Sequence, residues 1–82
     1  MISYLVYVLR SKKDNRLYVG MTSNLKRRLK EHNHGHVFST KGYRPWTLVY
    51  EETVGSRQQA RTREKYLKSG IGKEMLKALM AS

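Results

Sequence analysis

Near its start the chain carries ISYLVYVL, Ile2 to Leu9, a run of β-branched, aliphatic and aromatic residues. Such a run suits the pleated surface of a strand, so the fold must contain a sheet. A second short strand is predicted at Arg16 to Gly20 (RLYVG). The polar stretch RSKKDN between them has turn chemistry, and Asp14 and Asn15 tolerate a left-handed backbone. A hairpin follows, with its register left open.

The helical signals come next. In NLKRRLKEH, Asn24 to His32, the apolar residues Leu25 and Leu29 define a packing side. Arg28 and His32 fall on the same stripe, because 25, 28, 29 and 32 run i, i+3, i+4, i+7. Thr22, Ser23 and Asn24 are N-cap candidates, and the helix should end near His34–Gly35. Gly35 to Pro45 is irregular, and Trp46 to Glu51 (WTLVYE) alternates as a third strand. Ser56-x-x-Gln59 is a capping box opening a second helix through about Lys68, which Ser69-Gly70 ends. Residues 72–81 form an amphipathic third helix with Met75, Leu76, Leu79 and Met80 inward. The predicted class is α+β, ordered β-β-α-β-α-α, with a small three-stranded antiparallel sheet flanked by helices. Its 82 residues make one domain.

Charge narrows the partners. There are 17 Lys+Arg against 6 Asp+Glu, a net +11. A polyanion is implied, nucleic acid foremost, since neutralising phosphates releases counterions. A membrane surface competes for the same charge. However, no segment approaches the roughly 20 apolar residues of a spanning helix, and no secretory leader is recognisable. The absence of cysteine excludes a disulfide framework and thiolate zinc sites. The expectation is a soluble, cytoplasmic protein without a membrane partner.

Several reactive groups fall on packing faces. Glu64 shares a stripe with Ala60 and Leu67 and is one of only six acidic residues. Burying it is costly without compensation, and an ion pair with Arg28, or with an adjacent Lys or Arg, is the structural explanation. Tyr7 and Tyr18 place phenols on two neighbouring strands, and Gly20 leaves room for close approach. Each tyrosine alone reads as strand packing. Together, two phenols, a guanidinium, an imidazole and a carboxylate suit phosphate chemistry. Arginine holds phosphate through paired hydrogen bonds, a carboxylate holds a divalent metal, and phenol or imidazole orients or deprotonates water.

These residues also carry a resemblance. Tyr7 in LVY, Tyr18-Val19-Gly20, the helix NLKRRLKEH and the later RTREKYLK resemble the GIY-YIG nuclease superfamily over about residues 3–69. HNHGHVFSTKGYRPWTLVY is similar to the small single-domain bacterial members and to the catalytic domain of the branch that cuts branched DNA. Tyr7 and Tyr18 match the motif tyrosines, eleven residues apart, and Arg28, ten further on, matches the helix arginine. His32 matches the histidine one turn later, and Glu64 the metal-binding glutamate. The motif's first glycine is Leu5 here, and no residue matches the asparagine some members use after the second helix.

The resemblance implies a metal-dependent DNA endonuclease using one divalent ion, Mg2+ or Mn2+. Glu64 would be its ligand and Arg28 the stabiliser of phosphate charge. Tyr7 would help deprotonate the attacking water, while Tyr18 and His32 position water or phosphate. Selection by nucleic-acid structure is expected rather than by sequence, with DNA placed ahead of RNA. Lys26, Arg27, Thr40, Lys41 and Arg44 are candidate phosphate contacts, and Phe38 and Tyr43 could stack on bases. His32, His34 and His36 alternate but read as a polar helix end, and Trp46 as core. A nucleic-acid-binding module with a relic site, or a protein serving some other acidic partner, are the competing readings.

Overall fold

A computed structural model describes residues 3–81 of the chain, so the predicted strand residue Ile2 lies outside the described residues. Strands β1 (Tyr4–Ser11), β2 (Leu17–Thr22) and β3 (Trp46–Val54) form one antiparallel sheet ordered β2-β1-β3. Helices α1 (Leu25–Asn33), α2 (Arg57–Lys68) and α3 (Gly70–Ala81) complete the order β-β-α-β-α-α. The predicted α+β class and element order therefore hold.

Strand alternation divides β1 between two cores. Val6 and Val8 pack with Val19, Ala60, Leu67 and Leu76, so α2 and α3 cover that face. Tyr7 and Leu9 pack with Trp46 and with Leu25, Leu29 and Leu48, so α1 covers the other. The hairpin turns through Asn15 at φ 65°, the left-handed conformation anticipated there. Its register places Tyr7 opposite Gly20 and Leu9 opposite Tyr18.

Three boundaries fall beyond the polar residues that suggested them, and β1 begins at Tyr4, which leaves the predicted strand residue Ser3 outside it. β1 continues through Arg10 and Ser11 because the buried Ser11 hydroxyl donates to the Tyr43 carbonyl at 2.6 Å. β3 continues past Glu51 to Val54 because the Glu52 carboxylate is held by Arg63 of α2 at 2.7 Å and by the Tyr50 hydroxyl at 3.1 Å. α3 starts at Gly70, earlier than predicted, with the Ser69 hydroxyl accepting the Gly72 N–H. Leu76 is buried and Met75 and Met80 pack beside it, but Leu79 is 51% exposed. The inward row of α3 follows the i+4 step from Leu76 to Met80, leaving Leu79 on the rim.

Candidate active site

Local sequence sets the first helix. The Asn24 side chain, of the three cap candidates, accepts the Arg27 N–H at 3.1 Å and starts α1. Gly35 ends it at φ 80°, its N–H donating to the His32 carbonyl. Between these limits Lys26, Arg27 and Lys30 face solvent, Arg28 and Leu29 are half-buried, and His32 is fully buried. His32 thus sinks into the packing face, deeper than a residue lining only its edge.

What it meets there is Tyr7. The phenol and His32 Nε2 lie 2.9 Å apart, and His32 Nδ1 lies 2.8 Å from Thr40 Oγ1. Thr40 donates its own proton to the Val37 carbonyl at 3.3 Å. Its oxygen must therefore accept from His32 Nδ1–H, which leaves Nε2 as the acceptor for the Tyr7 O–H. One tautomer satisfies the whole chain of bonds. The Trp46 indole donates to the Thr40 carbonyl at 2.9 Å, and Asn33 grips the Trp46 backbone through both N–H and carbonyl. These contacts fix the irregular connection between α1 and β3 beneath the site.

Tyr18 stands beside the pair, its ring centroid 4.9 Å from that of His32 and 6.5 Å from that of Tyr7. Gly20 explains the hairpin's part. A Cβ there would lie 2.5 Å from the Tyr7 hydroxyl oxygen and 2.6 Å from Cζ, so the Tyr7 ring occupies the space a side chain would need. Leu5 lies two residues before Tyr7 on the same side of β1, half-buried and opposite Thr22 and Thr53.

Charge surrounds the phenol. Burial pushes Tyr7 up to about 12; Arg28 works against the rise, and Tyr18 and Glu64 add to it. Burial and the Arg28 charge together push His32 down to about 4, against the pull of Glu31. Both groups are neutral at pH 7. Burial opposes the Arg28 charge, but Tyr7 and Glu31 outweigh it and hold the guanidinium above its ordinary range. Arg28 is 37% exposed and pairs with Glu31 at 3.1 Å.

Glu64 pairs not with Arg28 but with Lys68, one turn along α2, at a loose 3.5 Å. Its side chain is 13% exposed at the rim of the helix, and its charge acts on Tyr7. Tyr7, Tyr18, Arg28, His32 and Glu64 therefore share one neighbourhood reached from four elements. Among the described residues no three His, Asp or Glu side chains form a cluster suited to a metal. The donor set at Glu64 is one carboxylate, which fits a cation that keeps water and phosphate oxygens as its remaining ligands.

The outlying candidates separate. Thr40 is fully buried with its hydroxyl bonded to His32 and Val37, so it supports the imidazole and does not reach a phosphate. Lys26, Arg27, Lys41 and Arg44 are exposed, although Arg44 Nε also donates to the Lys41 carbonyl at 2.7 Å. Tyr43 is covered by the Arg16 guanidinium, 3.5 Å from its ring centroid, whereas Phe38 is 86% exposed. His34 and His36 are exposed at the helix end, and Trp46 is core as expected. Asn33 was the residue sequence reasoning missed. Its position four after Leu29, on the inward stripe, was the available signal.

Known proteins resemble this chain in sequence and fold. The family model described as the GIY-YIG catalytic domain matches residues 3–76. A UPF0213 protein of Staphylococcus haemolyticus is 38% identical over 80 residues, covering 96% of each chain. Another, from Clostridium perfringens, is 44% identical over 64 residues, covering 77% of this chain and 68% of that one. The solution NMR structure of a UPF0213 protein from Bacillus halodurans superposes with a TM-score of 0.58 at 34% identity, covering 94% of this chain and 84% of that one. With the family motif spread over its hairpin, α1 and α2, this chain belongs to the GIY-YIG nuclease family.

Proposed function

We propose that the chain is a divalent-metal-dependent endonuclease that hydrolyses phosphodiester bonds in DNA and selects its substrate by structure. The observation that carries this reading is the surrounding of one phenol, Tyr7, by His32, Tyr18, Arg28 and the Glu64 charge. Mg2+ or Mn2+ bound at Glu64 would supply Lewis-acid polarisation of the scissile phosphate. Arg28 is the cation able to meet that phosphate, because its present partner Glu31 is a half-exposed surface carboxylate that a phosphate can replace. Its charge then opposes the negative charge that grows on the phosphoryl oxygens.

Tyr7 handles the nucleophile in this reading. Its proton points at His32 Nε2 and Arg28 acts on its oxygen as a donor, so one lone pair remains to accept a hydrogen bond from the attacking water. When that water yields its proton to the Tyr7 oxygen, the phenol's own proton has His32 Nε2 as its acceptor. Positions near 12 and near 4 keep this relay neutral and idle in the free chain. Phosphate charge arriving at Arg28 offsets the guanidinium charge that lowers His32, which favours the imidazolium and engages the relay. Tyr18 packs against the imidazole and keeps the pair aligned. The exposed cations Lys26, Arg27, Lys41 and Arg44 hold the nucleic-acid backbone without reading bases, which suits selection by shape.

The test uses labelled duplex, single-stranded, flap and four-way-junction DNA with Mg2+, Mn2+ or EDTA. Metal-dependent cutting by the wild type is expected, with a loss of about 1000-fold or more in Glu64→Gln. Salt-sensitive binding without cutting, on every substrate and with either metal, would replace this reading by that of a binding module.

A further inference from the structure

The outer edge of α2 remains to be explained. Arg57, Arg61, Glu64 and Lys68 follow i, i+4, i+7, i+11, one continuous row along the helix, and Lys65 flanks it four residues after Arg61. Glu64 is the only acid in this row of cations. It has Arg61 three residues before it and Lys68 four after, yet its ion pair is with Lys68 alone. Arg57, Arg61 and Lys65 are exposed, and among the described residues no carboxylate pairs with any of them.

Folding gains nothing from this placement. Arg57 and Arg61, and Arg61 and Lys65, are like-charge pairs at i, i+4, which destabilise a helix. Arg57 is moreover the first residue of α2, where the macrodipole disfavours positive charge and no acidic residue offsets it. By contrast, Arg63 on the inner flank is fully engaged with Glu52. Arg57, Gln58, Arg61, Thr62 and Lys65 line one shallow depression. Arg57 and Arg61 stand about 6 Å apart along the axis, in the row that continues to Glu64, and Lys65 widens this line of charge on the side of the depression.

We propose that the Arg57–Arg61–Lys65 edge of α2 is the track along which the phosphates of a nucleic-acid strand lead to Glu64. The inference rests on the nuclease reading and adds to it the side of the molecule from which the strand enters. The occupant is a polyanion with regularly spaced charge, because a single phosphate would need only one of the three cations.

The experiment measures binding of fluorescein-labelled flap DNA in EDTA, without turnover, across a salt series. Arg57→Gln/Arg61→Gln is compared with Lys73→Gln/Lys77→Gln, which removes the same charge at the same spacing from α3. The track variant should lower the salt slope by roughly 2 and weaken binding at least about tenfold near 100 mM salt. Its melting temperature should equal or exceed that of the wild type, since repulsion is relieved. The α3 pair should leave the slope close to the wild-type value. Equal effects of the two variants, or no change in slope for the track variant, would overturn the proposal while leaving the nuclease reading intact. Failure of the wild type itself to bind at low salt would end both.

Discussion

The two faces of the sheet are built on different chemistry. On the α2–α3 face the buried residues are Val6, Val8, Val19, Ala60, Leu67 and Leu76, all apolar. On the α1 face Tyr7, Leu9 and Trp46 are joined by Ser11, His32 and Thr40, the three buried polar residues among those described. One strand, β1, feeds both cores on alternate residues. An apolar core needs only volume and shape. A polar core must satisfy every donor and acceptor, and among the described residues no buried side-chain nitrogen or oxygen lacks a partner. The dry face therefore secures the fold, while the polar face holds reactive groups in one arrangement.

This division can be broken from either side. The largest effect on stability is expected from Leu67→Ala, which empties a fully buried position. It should cost about 2–5 kcal/mol in denaturant unfolding, with cleavage per folded molecule unchanged. Loss of activity beyond the loss of folded protein would show that the dry core also tunes the site. A comparable effect should come from acid on the polar face. The folded chain keeps His32 neutral down to about 4, whereas its ordinary value is 6.5. Its contribution is complete above 6.5 and drains away as pH falls toward 4, by on the order of 3 kcal/mol in total. Unfolding curves between pH 6.5 and 5 should show this decline in the wild type and a flatter profile in His32→Gln. Parallel profiles would mean that His32 is not held neutral.

Much of the fold was legible because periodicity alone carries it. Leu25 and Leu29 marked the inner side of α1, and Ser56 with Gln59 marked the start of α2, where Ser56 Oγ accepts the Gln59 N–H and Gln59 Oε1 accepts the Gly55 N–H. The misread boundaries have one cause. Ser11, Glu52 and Gly70 look like stop signals locally, and each is accommodated by a partner far away or by a neighbouring cap. The candidate site residues stood out through their spacing and the resemblance it carried, but their contact partners did not. The pairing considered between Arg28 and Glu64 gives way to two short-range pairs, Arg28 with Glu31 and Glu64 with Lys68. Thr40 read as a candidate phosphate contact in an irregular stretch. Only the return of the chain from α1 to β3 brings its hydroxyl to His32, and no local pattern encodes that contact.

Tyr7→Phe tests the division of labour most directly, because it removes one oxygen and keeps the ring over Gly20. Cleavage of the preferred DNA substrate and unfolding by denaturant should be measured on the same preparation. Cleavage is expected to fall by about 100-fold or more, while stability drops by only about 1 kcal/mol for the lost bond to His32. Near wild-type cleavage in a folded Tyr7→Phe variant would contradict the account and leave the Tyr7–His32–Thr40 chain as structure alone.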